Sequence, residues 1–151
     1  MTETPERTRR AIILISDGVD TSSTKKSDEA IERAIKADVV IYSIGIGDRY
    51  QFGLDEGKMR KVAEKTGGRA FFPRDQQDLR AAFDQIQEEL RSQYLLSYSP
   101  TNRQKDSTFR QVRLELTSPE LRGQNLRLIY RQGYFAKGQD AAASPIRKRR
   151  N

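Results

Sequence analysis

The residues best suited to chemistry form one short run, Ser16-Asp17-Gly18-Val19-Asp20-Thr21-Ser22. Asp17 and Asp20 offer hard oxygen donors, and Thr21, Ser22 and Ser23 add hydroxyls. Such a set suits Mg²⁺ or Mn²⁺ rather than a soft metal. The same residues also make a good turn, because Asp and Gly supply local hydrogen bonds and positive φ. Both readings stand, since two carboxylates are few for a metal. Mg²⁺-carboxylate phosphoryl chemistry needs a further Lys or Glu, and none is convincingly placed, so the chain does not read as an enzyme.

The other candidates are weaker. The chain has no His and no Cys, which excludes Ser-His-Asp triads, imidazole or thiolate metal sites and disulfides. Gly45-Ile46-Gly47-Asp48 is a partial glycine-rich loop. It lacks the third Gly and an immediate helix, so it argues against nucleotide binding. Glu88-Glu89 reads as a solvated helix face rather than an acid/base pair. Tyr94, Tyr98, Tyr130 and Tyr134 are expected to cluster in the C-terminal strands beside Arg127 and Arg131. Such a surface can stack single-stranded nucleic acid, but packing in strands explains the tyrosines more simply.

The elements that position these residues follow from periodicity. Ala11–Ile15 is a continuous apolar run and predicts a strand buried on both faces, ending at Ser16-Asp17-Gly18. Ser27 is a candidate N-cap, and Ala30, Ile31, Ala34 and Ile35 form one face of a helix ending near Ala37. Val39–Ile46 predicts a second two-faced strand. Met59, Val62 and Ala63 mark a short helix stopped by Gly67-Gly68. Arg69–Pro73 predicts a third strand. Leu79, Ala82, Phe83, Ile86 and Leu90 give an amphipathic helix over Gln76–Ser92. The alternation implies an α/β fold, a Rossmann-like parallel sheet with helices on both faces. Tyr94–Tyr98, Phe109–Thr117 and Leu126–Phe135 then predict about three C-terminal strands, half-solvated and antiparallel. Residues 10–93 thus form one α/β unit, 94–136 pack on it or extend it, and 1–9 and 137–151 read as flexible tails.

The first strand raises a difficulty. A two-faced apolar strand belongs inside a sheet, with neighbours on both sides, yet only Val39–Ile46 follows closely enough to pair with it. An open apolar edge invites aggregation. Ile12, Ile13 and Leu14 are therefore expected to form an interface edge, covered by a second copy, another chain or the C-terminal strands.

The net charge is +7, but residues 137–151 carry +4 of it and residues 11–136 only +2. The basic run Arg147-Lys148-Arg149-Arg150 reads as a solvated tail, so no specific nucleic-acid partner is expected. There is no run of 18 apolar residues and no apolar core in MTETPERTRR, so neither a membrane span nor a signal peptide is expected on this chain. Localisation stays open in the sequence, with the cytoplasm as the default expectation.

Three segments, I-I-L-I-S-D-G-V-D-T from Ile12, V-V-I-Y-S-I-G-I-G from Val39 and V-A-E-K-T-G-G-R-A-F-F from Val62, together resemble the second half of a von Willebrand factor type A domain. Q-Y-L-L-S-Y-S-P, F-R-Q-V-R-L-E-L and Y-R-Q-G-Y-F-A resemble the end of a bacterial, acidobacterial-type VWFA-related branch. The resemblance covers about residues 10–136. It implies a doubly wound fold with a metal-ion-dependent adhesion site, a role in protein binding, and relatives that are often exported. Asp17 matches the family's Asp after the fourth strand, and Gly45-Ile46-Gly47 matches the loop after the next strand. The Asp-x-Ser-x-Ser motif is absent, and the first three strands have no counterpart here. The implied function is a non-enzymatic binding module. Its incomplete metal site would centre on Asp17, with Asp20, flanked by Ser16, Gly18, Gly45 and Gly47. The alternative is a metal-independent fragment that assembles through the edge Ala11–Ile15, as a homodimer or with another protein.

Overall fold

The chain was analysed as a computed structural model, which describes residues 10–16, 26–47, 55–124 and 126–136. Strand β1 (Arg10–Ser16) leads to helix α1 (Ser27–Lys36), β2 (Val39–Gly45), α2 (Glu56–Thr66), β3 (Ala70–Phe71) and α3 (Gln76–Arg91). The three strands form a parallel sheet in the order β1-β2-β3. β1 and β2 are in register from Arg10↔Val39 to Ser16↔Gly45. β3 pairs with β2 only at Ser43↔Ala70 and Ile44↔Phe71.

Each helix forms where its apolar stripe meets a face of β2. Ile31, Ala34 and Ile35 of α1 and Val62 of α2 bury against Ile41. On the opposite face, Ile86 of α3 packs on Tyr42 and Ile44, with Leu79, Leu90, Val40 and Phe71 around them. This is the α/β sandwich that the alternating pattern implies. The helix ends are chemically marked. The Asp55 and Asp75 side chains accept from the backbone N–H groups of Lys58 and Asp78, at 2.8 and 2.7 Å. The α1 N-cap is Lys26, with no side-chain cap bond, rather than the expected Ser27. Gly67 takes the left-handed conformation (φ 90°) that ends α2, and the Gly68 N–H donates to the Ala63 carbonyl at 2.9 Å.

The C-terminal region departs from expectation. Only two strands form, β4 (Phe109–Gln111) and β5 (Gly133–Phe135), paired antiparallel. A short helix, α4 (Pro119–Arg122), stands between them. The ladder continues one step each way through Val112 N–H to Gln132 O and Ala136 N–H to Thr108 O, both 2.9 Å. Tyr94–Tyr98, expected as a strand, forms none. The remaining parts of Phe109–Thr117 and Leu126–Phe135 are irregular. Apolar alternation offers a face, but a strand also needs an edge to pair with, and these segments meet none. The small sheet rests on the α/β unit. Phe135 packs on the α1-side core, Arg127 bridges to Glu64 at 3.0 Å, and Arg131 pairs with Asp38.

A candidate interaction edge and the carboxyl end of the sheet

β1 is built from the same residue types as β2, yet the two differ in burial. Ile41, Tyr42 and Ile44 of β2 are buried, whereas Ile12, Ile13, Leu14 and Ile15 of β1 are 51, 40, 39 and 52% exposed. This overturns the expectation that Ala11–Ile15 is buried on both faces. The reason is positional, because among the described residues β1 is the sheet edge and pairs with β2 alone. The helices lie over β2 and β3. Nor do the C-terminal strands cover the edge, since β4 and β5 form a sheet of their own. Parallel pairing puts Ile12 and Leu14 level with Ile41 and Ser43, and Ile13 and Ile15 level with Tyr42 and Ile44. Both faces of β1 are therefore apolar and open.

At the carboxyl end of the sheet, Ser16 pairs in register with Gly45. The Ile46 N–H donates to the Ser16 carbonyl at 2.9 Å, and Gly47 follows in a bend. The fold thus brings together Ser16, Gly45 and Gly47 of the expected site. Asp17, Gly18 and Asp20 lie outside the described residues, as do Thr21–Ser23. Among the described residues no group of three or more acidic side chains could hold a metal ion. The described part of this end supplies one hydroxyl and backbone carbonyls, which do not by themselves make a Mg²⁺ or Mn²⁺ site.

A polar cluster that the sequence did not single out sits at the end of α3. Arg69 Nη1 lies 3.2 Å from Glu89 Oε1, and both side chains are largely buried. The Tyr42 hydroxyl is hydrogen-bonded to Glu89 and Gln93. Burial, and secondarily the negative charge of Glu89, push the Tyr42 hydroxyl above its usual range. The expectation that Glu89 lies on a solvated face fails here, whereas Glu88 is exposed. The signal was available in the spacing, because position 89 is three residues after the buried Ile86 and shares its face. Beside this cluster, Arg69, Glu64, Arg127 and Gln132 help line an open cavity of about 250 Å³. The four tyrosines do not form one stacking platform. Tyr98 and Tyr134 meet edge-on at 6.4 Å, while Tyr94 is 94% exposed.

Comparison with known proteins finds a family and similar solved structures. The family model for the von Willebrand factor type A domain matches residues 1–87. A solved structure described as an uncharacterized membrane spanning protein from Vibrio fischeri is 30% identical, with a TM-score of 0.48. That match covers 54% of this chain and 47% of the other, so the chain spans about half the length of that protein. No curated protein matches. Among the described residues no helix is long and apolar enough to cross a membrane.

Proposed function

The chain belongs to the von Willebrand factor type A family, and from that premise we propose that it is a non-enzymatic protein-binding module whose docking surface is the outer edge of β1. The observation that carries this is the seven-residue strand Arg10–Ser16, paired among the described residues on one side only, with Ile12–Ile15 between 39 and 52% exposed. An unprotected apolar edge is a template for strand addition. Natural edge strands are blunted by Lys, Pro or inward-pointing charge, and Ala11–Ile15 contains none of these.

A photo-crosslinking residue at Ile13 tests the proposal, with the same residue at exposed Arg80 on α3 as control. Capture of protein at position 13 and not at 80 is the expected result. Equal capture at both positions, or none at 13, refutes the edge as the docking surface.

A second reading rests on the meeting of Ser16 with Gly45 and Ile46 at the sheet's carboxyl end. Asp17, next in sequence, would there bind Mg²⁺ or Mn²⁺ with Asp20, and the ion would accept a partner's carboxylate. Calorimetric titration with each ion, using Asp17→Ala as control, separates the two readings. Saturable binding abolished by Asp17→Ala supports the metal reading, and capture at Ile13 that persists in a chelator supports the edge alone.

A further inference from the structure

The small C-terminal sheet is tied to itself by backbone and to the α/β unit by side chains. Within it, β4 and β5 share a ladder from Phe109↔Phe135 to Gln111↔Gly133, and the Phe109 and Phe135 rings meet edge-on at 5.2 Å. Arg110 donates to the Asn102 and Gln104 carbonyls, which fastens the preceding loop to β4. Toward the α/β unit the bonding changes. Among the described residues no backbone–backbone hydrogen bond joins residues 108–136 to residues 10–91. The seam consists of Phe135 on the cluster of Ile31, Ala34, Ile35, Ile41 and Val62, with Lys36 Nζ 4.8 Å from the Phe135 ring. Beside it stand the ion pairs Arg127–Glu64, at 3.0 Å, and Arg131–Asp38.

Three features mark this seam as one that opens. Asp38 ends α1 in the left-handed conformation (φ 60°) that glycine adopts most easily. A carboxylate stands there instead and reaches Arg131. Asp38, Glu64 and Arg127 are all open to solvent, so both pairs are weak and sensitive to screening. The packing is also incomplete. The cavity of about 250 Å³ lies along the seam, with Arg127, Tyr130 and Gln132 on one side and Glu64, Gly68 and Arg69 on the other. Finally, residues 94–107, which lead from α3 to β4, form neither helix nor strand.

We propose that β4, β5 and residues 126–132 act as a lid on the α1–α2 side of the α/β unit. It swings on the connection 94–107, is closed by Arg127–Glu64 and Arg131–Asp38, and uncovers the apolar hollow under Phe135 when it opens. The ladder travels with the lid, so opening breaks the seam and leaves both parts folded, as a local cooperative unit would. Phe135 opposes opening, because its ring and the hollow of Ile31, Ile35 and Val62 both return to water. The two ion pairs set the remaining balance, which makes the closed fraction depend on ionic strength. The lid rests on contacts with α1 and α2 and is independent of the docking role proposed for β1.

The chain has no native Cys, so two introduced cysteines carry spin labels cleanly. Lys65→Cys at the end of α2 and Gln111→Cys on β4 are both at exposed positions, and circular dichroism checks that each variant folds. Pulsed electron–electron resonance should give one narrow distance at about 0.1 M NaCl. A second, longer population should grow at about 1 M, where the screening length falls from about 10 to about 3 Å. Asp38→Asn, which tolerates the left-handed backbone, and Arg127→Glu should each raise the open-to-closed ratio about two- to fivefold. Adding Glu64→Arg to Arg127→Glu should restore the closed distance, a rescue that a purely steric role for Arg127 would not give. A single narrow distance in every variant and at both salt concentrations overturns the lid, since the sheet would then be a fixed part of the fold. A long population indifferent to salt and to the charge changes overturns it too. So does a long population that grows only as helical circular dichroism is lost, because the sheet would then part from the α/β unit only on global unfolding.

Discussion

Thr66 offers the sharpest test of how the sheet is held together. It is fully buried at the last turn of α2. Its hydroxyl accepts from the Ile41 backbone N–H at 3.0 Å and lies 2.9 and 3.1 Å from the Ala63 and Val62 carbonyls, to which it donates. Ile41 needs this partner because β3 is only two residues long and reaches β2 only at Ser43 and Ile44. The threonine hydroxyl therefore stands in for a strand neighbour. Thr66→Val keeps the volume and removes the acceptor, leaving a buried N–H without a partner at a cost of about 1–3 kcal/mol. Thr66→Ser keeps the hydroxyl and loses one methyl, at a cost of about 1 kcal/mol.

The expected order of stability is wild type, then Thr66→Ser, then Thr66→Val. A loss of about 2 kcal/mol lowers Tm by roughly 4–8 °C for a domain of this length. Thermal and urea unfolding at one fixed protein concentration read the difference, since self-association would make Tm concentration-dependent. Thr66→Val as stable as Thr66→Ser would refute the reasoning. It would mean that the Ile41 N–H finds water or another acceptor.

Three further outcomes follow from the same geometry. Gly68→Ala should unfold the chain or shift β3, because its Cβ would lie 2.1 Å from the Ile41 carbonyl oxygen; soluble yield and circular dichroism would read this. Asp75→Ala removes the α3 cap and should cost about 1 kcal/mol in urea unfolding, with Asp75→Asn recovering most of it. The Tyr42 hydroxyl titrates above its ordinary value in the folded chain, so its contribution is intact below the unfolded value of 10.0 and falls away as pH rises through the folded one. Unfolding free energy should therefore decline more steeply above about pH 10 in the wild type than in Tyr42→Phe.

Where local pattern and neighbours agree, the sequence was enough. The spacing of Leu79, Ala82, Ile86 and Leu90 places α3 to within a residue. The run Val39–Ile46 reads as a strand with two buried faces; β2 spans Val39–Gly45, and helices lie on both faces. What failed depended on contacts that composition does not encode. Tyr94–Tyr98 has strand residues but no edge beside it. Glu89 looks solvated by type, yet helical geometry turns it toward Arg69 and Tyr42. Ser16 and Gly45 lie together at the carboxyl end of the sheet, because the end of a parallel strand follows directly from its turn signal.

β1 and β2 sharpen this point. Ile12–Ile15 is the more apolar run, since Ile41–Ile44 includes Tyr42 and Ser43, and the two pair in register. One set is mostly buried and the other open, so burial here is a property of neighbours rather than of residues. A strand that evolved as a free edge would carry a charge or proline to blunt it. Ala11–Ile15 carries neither and has the pattern of an interior strand. On the proposed docking role, a single charge at Ile13 should damage association more than folding, since that side chain is already 40% exposed. If Ile13→Asp unfolded the chain outright instead, β1 would have to be counted as part of the core that sustains the fold, and the open edge would be a structural dependency rather than a docking surface.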